Sequence, residues 1–321
     1  MIDTISVKNL YKNFGKTEVL KDINFYLKEG ETLAILGESG CGKSTLLGCI
    51  AGFLPINSGE IFIQKDCVAH KGICIAPHKR EVGILFQDFA IFPHLNVYEN
   101  IAFGLSKLNK EQKEMRIKEL LEMLGLEGLE KRYLHEISGG QAQRVALARA
   151  IAPNPKILLL DEPFSSLNSD LSKKMRKDLK EIIKKNNLNV ILVTHNKEDA
   201  FYLADRILII KDGRVIDSGK PRDLYENPSN LDSAKFLGAV NFIEDLTSIK
   251  DEAFRAWLAK RKGIFRPKHL KIAENGILVK LLENKFFGDW IEGVVEYEKH
   301  QFSIHYKCEK NVGDEFYLAF D

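Results

Sequence analysis

No stretch of this sequence approaches the roughly 18–20 consecutive apolar residues that a membrane-spanning helix needs. The opening Met1-Ile2-Asp3-Thr4-Ile5-Ser6-Val7-Lys8 carries no apolar signal core, so the expectation is a chain that stays in the cytosol. Cysteine is sparse. Cys41, Cys49, Cys67, Cys74 and Cys308 are odd in number and lack the close pairing of a zinc site, which argues against a disulfide framework or a structural metal. An excess of one charge is missing as well: 47 basic and 45 acidic residues leave a net charge of +2, so no global field points to nucleic acid or an acidic membrane as partner. Low-complexity tracts, heptad runs and repeats at solenoid spacing are also absent. What remains is an ordinary globular composition, and 321 residues suffice for about two domains.

Against this background one segment stands out. Gly37-Glu38-Ser39-Gly40-Cys41-Gly42-Lys43-Ser44-Thr45 matches G-x-x-x-x-G-K-[ST], preceded by the apolar run Leu33–Leu36 and followed by Leu46-Leu47-Gly48-Cys49-Ile50-Ala51. Strand, glycine loop and helix in that order let backbone amides turn inward around an anion, with the helix adding the positive end of its dipole. Lys43 is placed to reach the outer phosphates of a nucleotide triphosphate, the Ser44 hydroxyl to ligate Mg²⁺, and Thr45 sits beside it.

Alternating β-like and α-like segments surround the loop. Ile23, Phe25 and Leu27 predict an antiparallel strand pair before the turn Lys28-Glu29-Gly30. Continuous apolar runs at Val82–Phe86, Ile157–Leu160, Val190–Val193 and Arg206–Ile210 predict strands of a sheet covered on both faces. Ile117, Leu120, Leu121 and Leu124 recur at helical spacing before Gly125, and a second amphipathic helix runs through Leu171, Met175, Leu179, Ile182 and Ile183. Asp212-Gly213 is a hairpin turn, and the stretch from Pro221 to about Leu237 is expected to close the first domain. From Gly263 onward the pattern is β-rich, with strands expected at Ile277–Leu282, Ile291–Tyr297, Gln301–Tyr306 and Glu315–Phe320.

Two further segments carry chemistry. Ile157–Leu160 ends in Asp161-Glu162-Pro163, and the carboxyl end of a strand in such a sheet faces the ligand crevice. There Asp161 can hold Mg²⁺, directly or through water, while Glu162 takes a proton from the water attacking the terminal phosphate. Ser138-Gly139-Gly140-Gln141 opens an apolar helix and has the form of a second anion site, its amides and the Ser138 hydroxyl facing a phosphate.

The loop Gly37–Thr45, Ile137-Ser138-Gly139-Gly140-Gln141, the Asp161-Glu162 pair and Thr194-His195 occur in the order seen in ATP-binding-cassette transporter ATPases, and roughly residues 1–238 resemble that family. The resemblance implies an α/β P-loop NTPase cassette with a RecA-like core, an antiparallel β subdomain and a helical subdomain over 1–238. A small β-rich, OB-like regulatory (TOBE-type) domain is expected over 239–321, since Gly263-Ile264-Phe265-Arg266-Pro267 looks like the element that opens such tails. It implies ATP and Mg²⁺, with Gly37, Ser39, Gly40, Cys41, Gly42, Lys43, Ser44 and Thr45 around the phosphates and Ser44, Asp161 and Gln87 at the metal. Ser138, Gly139, Gly140 and Gln141 of one copy complete the site of another in a head-to-tail homodimer. Glu162 is the implied base, His195 the switch residue at the γ-phosphate, and Gln87 the sensor near the metal, the lytic water and the permease. Phe14 falls where the family places an aromatic on adenine, with Tyr11 the competing choice.

Two positions depart from the family pattern: Ile137 replaces a leucine, a near-isosteric change, and Asn168 replaces an aspartate in the loop that crosses the dimer interface. A single cassette without spans implies separate permease subunits, with a periplasmic or surface substrate-binding protein acting indirectly, and a peripheral place on the cytoplasmic face of the inner membrane. The wording of Ile73–Arg80 and Phe86–Leu95 resembles ferric-iron import ATPases most. Oxyanion importers of the molybdate and sulfate type, or polyamine importers, are the alternative, and a non-transport cassette ATPase is the remaining one.

Overall fold

The computed structural model describes residues 3–165 and 169–320, and the chain divides into two compact units, Met1–Pro221 and Arg222–Asp321. The first unit opens with strands β1 (Ile5–Phe14), β2 (Thr17–Leu27) and β3 (Thr32–Leu36), helix α1 (Lys43–Ala51), then β4 (Ser58–Ile63), β5 (Asp66–His70), β6 (Ile73–Cys74) and β7 (Val82–Leu85). Helices α2 (Val97–Ala102), α3 (Lys110–Leu124) and α4 (Gly139–Ile151) follow as an insert. Then come β8 (Ile157–Asp161), α5 (Ser169–Lys185), β9 (Val190–Thr194), α6 (Lys197–Leu203), β10 (Arg206–Lys211) and β11 (Arg214–Gly219).

These strands build two sheets. One is antiparallel, in the order β2-β1-β4-β5-β6, and the other runs β11-β10-β3-β9-β8-β7 with every pair parallel except β10–β11. The continuous apolar runs explain the second: all five residues of β3 and all five of β9 are buried, as strands covered on both faces require. The expected antiparallel pair is β1 with β2, and the turn at Lys28–Gly30 leads from one sheet into the other. Helix α1 sits between the sheets. Its Leu46, Leu47, Cys49 and Ile50 share one core with Ile5, Leu10, Leu20 and Ile23 of the antiparallel sheet and Leu159, Ile191 and Val193 of the parallel one.

A buried guanidinium fixes the far end of α1. Arg80 is 2% exposed and donates to the carbonyls of Cys49 (2.7 Å) and Ile50 (2.8 Å) in the last turn of α1, and to those of Ile75 (2.7 Å) and Val68 (3.1 Å). A cation at the negative end of the helix dipole satisfies carbonyls that have no partner within the helix. Burial pushes the Arg80 pKa below its ordinary value, without making deprotonation relevant near neutrality.

The helical insert forms as its pattern predicts. Asn96 with Glu99 and Asn109 with Gln112 make capping boxes at the starts of α2 and α3, Gly125 closes α3 in the left-handed region (φ 62°), and Ile117, Leu120, Leu121 and Leu124 are buried.

The second unit contains α7 (Pro221–Glu226), α8 (Leu231–Leu237), β12 (Asn241–Phe242), α9 (Glu252–Lys260), β13 (Ile264–Phe265), β14 (Leu270–Ala273), β15 (Ile277–Phe286), β16 (Ile291–Tyr297), β17 (His300–Tyr306) and β18 (Glu315–Phe320). Five of its strands form an antiparallel sheet, β14-β18-β15-β16-β17, over an aromatic core centred on Phe254, with Trp257, Phe265, Tyr297, Phe302 and Phe320 around it. The compact units part after Pro221, so the helical stretch expected to close the first domain groups with the second. The buried Arg266 gives the reason: it donates to the carbonyls of Tyr225 (3.0 Å), Ala234 (2.8 Å), Gly238 (3.0 Å) and Ala239 (3.0 Å), tying α7 and α8 to the β-rich fold. No helix among the described residues is long and apolar enough to cross a membrane.

Arg80→Met keeps the apolar stem but leaves four buried carbonyls without this donor. The expected loss is about 3 kcal/mol or more, read as a Tm decrease of roughly 6–12 °C by calorimetry. An unchanged Tm would show that the carbonyls find other partners.

Candidate functional site

Four strands of the parallel sheet end side by side. In register, Leu36 of β3 lies beside Thr194 of β9, Val193 beside Asp161 of β8, and Leu160 beside Leu85 of β7. Each strand hands the chain to one of the motifs: β3 to the glycine loop, β8 to Asp161-Glu162, β9 to Thr194-His195, and β7 to the segment holding Gln87. Parallel topology alone therefore brings together residues far apart in sequence.

The glycine loop is shaped by its neighbours. A Cβ on Gly37 would lie 2.4 Å from the carbonyl oxygen of Ile210, so only glycine lets the loop start flush against β10. Gly42 stands at the N-cap of α1 with φ 105°, a backbone that side chains disfavour, and no side chain caps this helix start. The starts of α2, α3, α4, α6, α8 and α9 all have such a cap, from Asn96, Asn109, Ser138, Asn196, Asn230 and Asp251. The positive end of α1 is thus left to an external anion. Lys43, itself buried, folds back to donate to the carbonyls of Gly37 (2.9 Å) and Glu38 (2.8 Å), holding its charge over the loop.

Ser44 and Asp161 meet across the site, hydroxyl to carboxylate, at 3.3 Å. Burial raises the Asp161 pKa, the Ser44 hydrogen bond pulls it down, and the neighbouring Glu162 charge pushes it up again. The Lys43 charge acts against that rise, but burial prevails, and a desolvated carboxylate beside a second acid favours a cation. Glu162 lies in the left-handed region (φ 45°), its amide held by the carbonyl of Val193 at 2.9 Å. That turn aims its carboxylate at His195, whose Nδ1 lies 2.9 Å from Glu162 Oε2. The His195 side chain is 52% exposed and that of Glu162 17%, so the pair faces open space from a fixed base.

A buried chain of polar contacts supports the strand end. Thr194 Oγ1 donates to Asp199 Oδ2 (3.1 Å) and accepts from the Asn196 amide (3.0 Å), and Arg176 of α5 pairs with Asp199 at 2.7 Å. Asp199 is pushed up by burial and pulled back by Arg176. No sequence motif marks Arg176, Asn196 or Asp199, since their spacing becomes a contact only once α5 and α6 pack together.

Other expected residues lie around this centre. Gln87 is exposed beyond the end of β7, and the next residues turn sharply, with Phe89 (φ 62°) and Ala90 (φ 45°) both left-handed. Arg149 of α4 holds that turn by donating to the carbonyls of Phe89 (2.9 Å) and Ala90 (2.6 Å), a tie that no linear motif signals. Ser138 and Gln141 cap each other reciprocally at the start of α4, with Ser138 and Gly139 exposed and Gly140 buried. Among the described residues no hydrogen bond joins this turn to the glycine loop of its own chain. Phe14, 49% exposed, ends β1, whereas Tyr11 is half-buried and pairs with Ser58 of β4. Ile137 is extended and half-buried, and Asn168 lies outside the described residues.

Comparison with known proteins bears on this geometry. Residues 20–165 match the ABC transporter family. The spermidine/putrescine import ATP-binding protein of Clostridium novyi (strain NT) is 36% identical over 326 residues, covering 96% of this chain and 93% of that protein. An Fe(3+) ions import ATP-binding protein of Haemophilus influenzae (strain 86-028NP) is 43% identical over 236 residues, or 73% of this chain and 67% of its own. Among solved structures, a dimeric ATP-binding cassette in a post-hydrolysis state with ADP and Pi superposes with a TM-score of 0.59 at 33% identity, covering 68% of this chain and 99% of that one. With the loop, the acidic pair and the histidine converging on one sheet edge, and with one of these relatives matched along nearly the whole chain, this protein belongs to the ABC transporter family as an ATP-hydrolysing subunit of importer type.

Proposed function

We propose that two copies of this chain close on two ATP molecules to drive import through separate permease subunits at the cytoplasmic face of the membrane. The observation that carries this reading is the meeting of Ser44 with Asp161 and of Glu162 with His195 beside an uncapped helix start. In it, the amides of Gly40 to Thr45 and the start of α1 receive the phosphates, and Lys43 swings from the carbonyls of Gly37 and Glu38 to the outer phosphate oxygens. Ser44 and Asp161 offer a hydroxyl and a carboxylate, the hard oxygen donors that Mg²⁺ takes, with Gln87 as a further amide oxygen nearby. When bound, Mg²⁺ neutralises charge on the β- and γ-phosphates.

Glu162 then acts as general base. An ionised carboxylate has no proton to give, so His195 Nδ1 is the donor in their hydrogen bond, which leaves Glu162 Oε1 free of that contact to take the proton of the attacking water. His195 is held at the carboxylate and presents its other nitrogen outward, toward the terminal phosphate. The exposed Ser138-Gly139 turn serves the partner copy, and a relative solved as a dimer supports that arrangement. The exposed ring of Phe14 stacks on adenine, in preference to the half-buried Tyr11.

For the cargo, a polyamine stands first. The relative whose match runs through the second unit as well as the cassette is named for spermidine and putrescine import. Ferric iron, the expectation from the wording of residues 73–95, is the second reading, supported by 43% identity over the cassette of an Fe(3+) import protein.

Glu162→Gln is expected to lower kcat at least 100-fold while retaining ATP binding, and to elute as an ATP-dependent dimer in size-exclusion chromatography. Hydrolysis at the wild-type rate would remove Glu162 from the base role. Uptake of labelled spermidine and of labelled ferric iron, in cells lacking this gene and complemented with wild type or Glu162→Gln, separates the cargo readings. Rescue of spermidine uptake by wild type alone supports the first reading, and rescue of iron uptake alone replaces it with the second.

A further inference from the structure

Only two lysines among the described residues are buried, Lys43 of the glycine loop and Lys12 of β1. Lys12 is 8% exposed and pairs across the hairpin with Leu20, a fully buried residue. Leu20 packs beneath the start of α1: a Cβ on Gly42 would lie 2.7 Å from Leu20 Cδ2. The stem of Lys12 is therefore set in the core between the glycine loop and the tip of the β1–β2 hairpin. Its ammonium lies against the ring of Phe14, 4.9 Å from the centroid, and its charge also acts on the buried Cys49 thiol of α1, opposing the upward push that burial gives that group. Lys8 on Phe62 and Lys28 on Tyr26, by contrast, are exposed side chains lying on a surface, and Lys180 on Tyr202 is only half-buried. If packing alone were needed at position 12, methionine would serve without burying a charge.

We propose that Lys12 is a positioning residue for the base end of the nucleotide site, an inference that rests on Phe14 being the ring that stacks on adenine. The ammonium holds one face of the Phe14 ring, which fixes the plane of a side chain at an otherwise open hairpin tip. It also draws π-electron density toward itself. The opposite, solvent-facing side of the ring becomes the better complement to an electron-rich purine, so Lys12 favours purine nucleotides without touching them. Because Lys12 acts through the Phe14 ring, its effect falls on binding.

The test is a double-mutant cycle on the full chain, with MgATP hydrolysis and titration of a fluorescent ATP analogue as readouts. Lys12→Met is expected to raise KM for ATP about 3–10-fold with kcat within about twofold of wild type, and Lys12→Arg to recover most of the loss. In a Phe14→Ala background, Lys12→Met is expected to have no further effect. Phe14→Ala alone is the control for the underlying reading: if it leaves analogue affinity unchanged, Phe14 is not the stacking ring and the proposal falls with it. If Phe14→Ala weakens binding while Lys12→Met does not, or if the two losses simply add, the role of Lys12 alone is overturned. Should Lys12→Met melt below the assay temperature, Lys12→Arg and Lys12→Gln carry the test, with only the cationic variant expected to keep the wild-type KM.

Discussion

Helix α1 has two unequal ends, and the rest of the cassette is arranged around that inequality. Its last carbonyls are satisfied by the buried guanidinium of Arg80, while its first amides follow a left-handed glycine and receive no side-chain cap. One end is thus fixed by the protein and the other left to a ligand. The helix is packed between the antiparallel and parallel sheets, its buried side chains in a core shared by both. In the proposed reading a phosphate group bound there meets Ser44 and Asp161 on one side and the Glu162–His195 pair beyond, because the parallel strands lead into those residues at the same edge.

Much of this was legible in the chain. Continuous apolar runs foretold the buried strands β7 to β10, helical spacing before Gly125 foretold α3, and the motifs fell at the carboxyl ends of strands as expected. These signals are local, and the physics behind them is local too: period, burial on both faces, and φ at a few glycines. What escaped notice acts over distance. Arg80 and Arg266 fall within segments that the sequence marks, but their part as collectors of buried carbonyls shows only once tertiary packing brings those carbonyls together. Asp199, Arg176 and Arg149 escaped for the same reason. Nor does sequence order show where α7 and α8 pack: they follow the cassette in the chain, while Arg266, some thirty residues further on, collects their carbonyls.

The same contrast separates chemistry from cargo. In the proposed reading ATP hydrolysis is written in residues that meet phosphate and water, and their motifs are specific enough to read directly. They do not single out the cargo, and relatives named for a polyamine and for ferric iron share the cassette at similar identity. The self-capped Ser138–Gln141 turn adds a further asymmetry: within one chain it is built, exposed and joined to no phosphate-loop group by any hydrogen bond among the described residues. In the proposed reading, each copy brings half of two sites.

Mixing two inactive variants tests that claim most directly. Lys43→Ala spoils the glycine loop and leaves the serine turn intact, while Ser138→Arg does the reverse, so each homodimer should be inactive. An equimolar mixture forms hybrid dimers with one intact composite site, and the account predicts recovery of ATPase activity toward about a quarter of the wild-type rate, as random pairing of symmetric dimers gives. A mixture as inactive as its two components would contradict a site shared between copies.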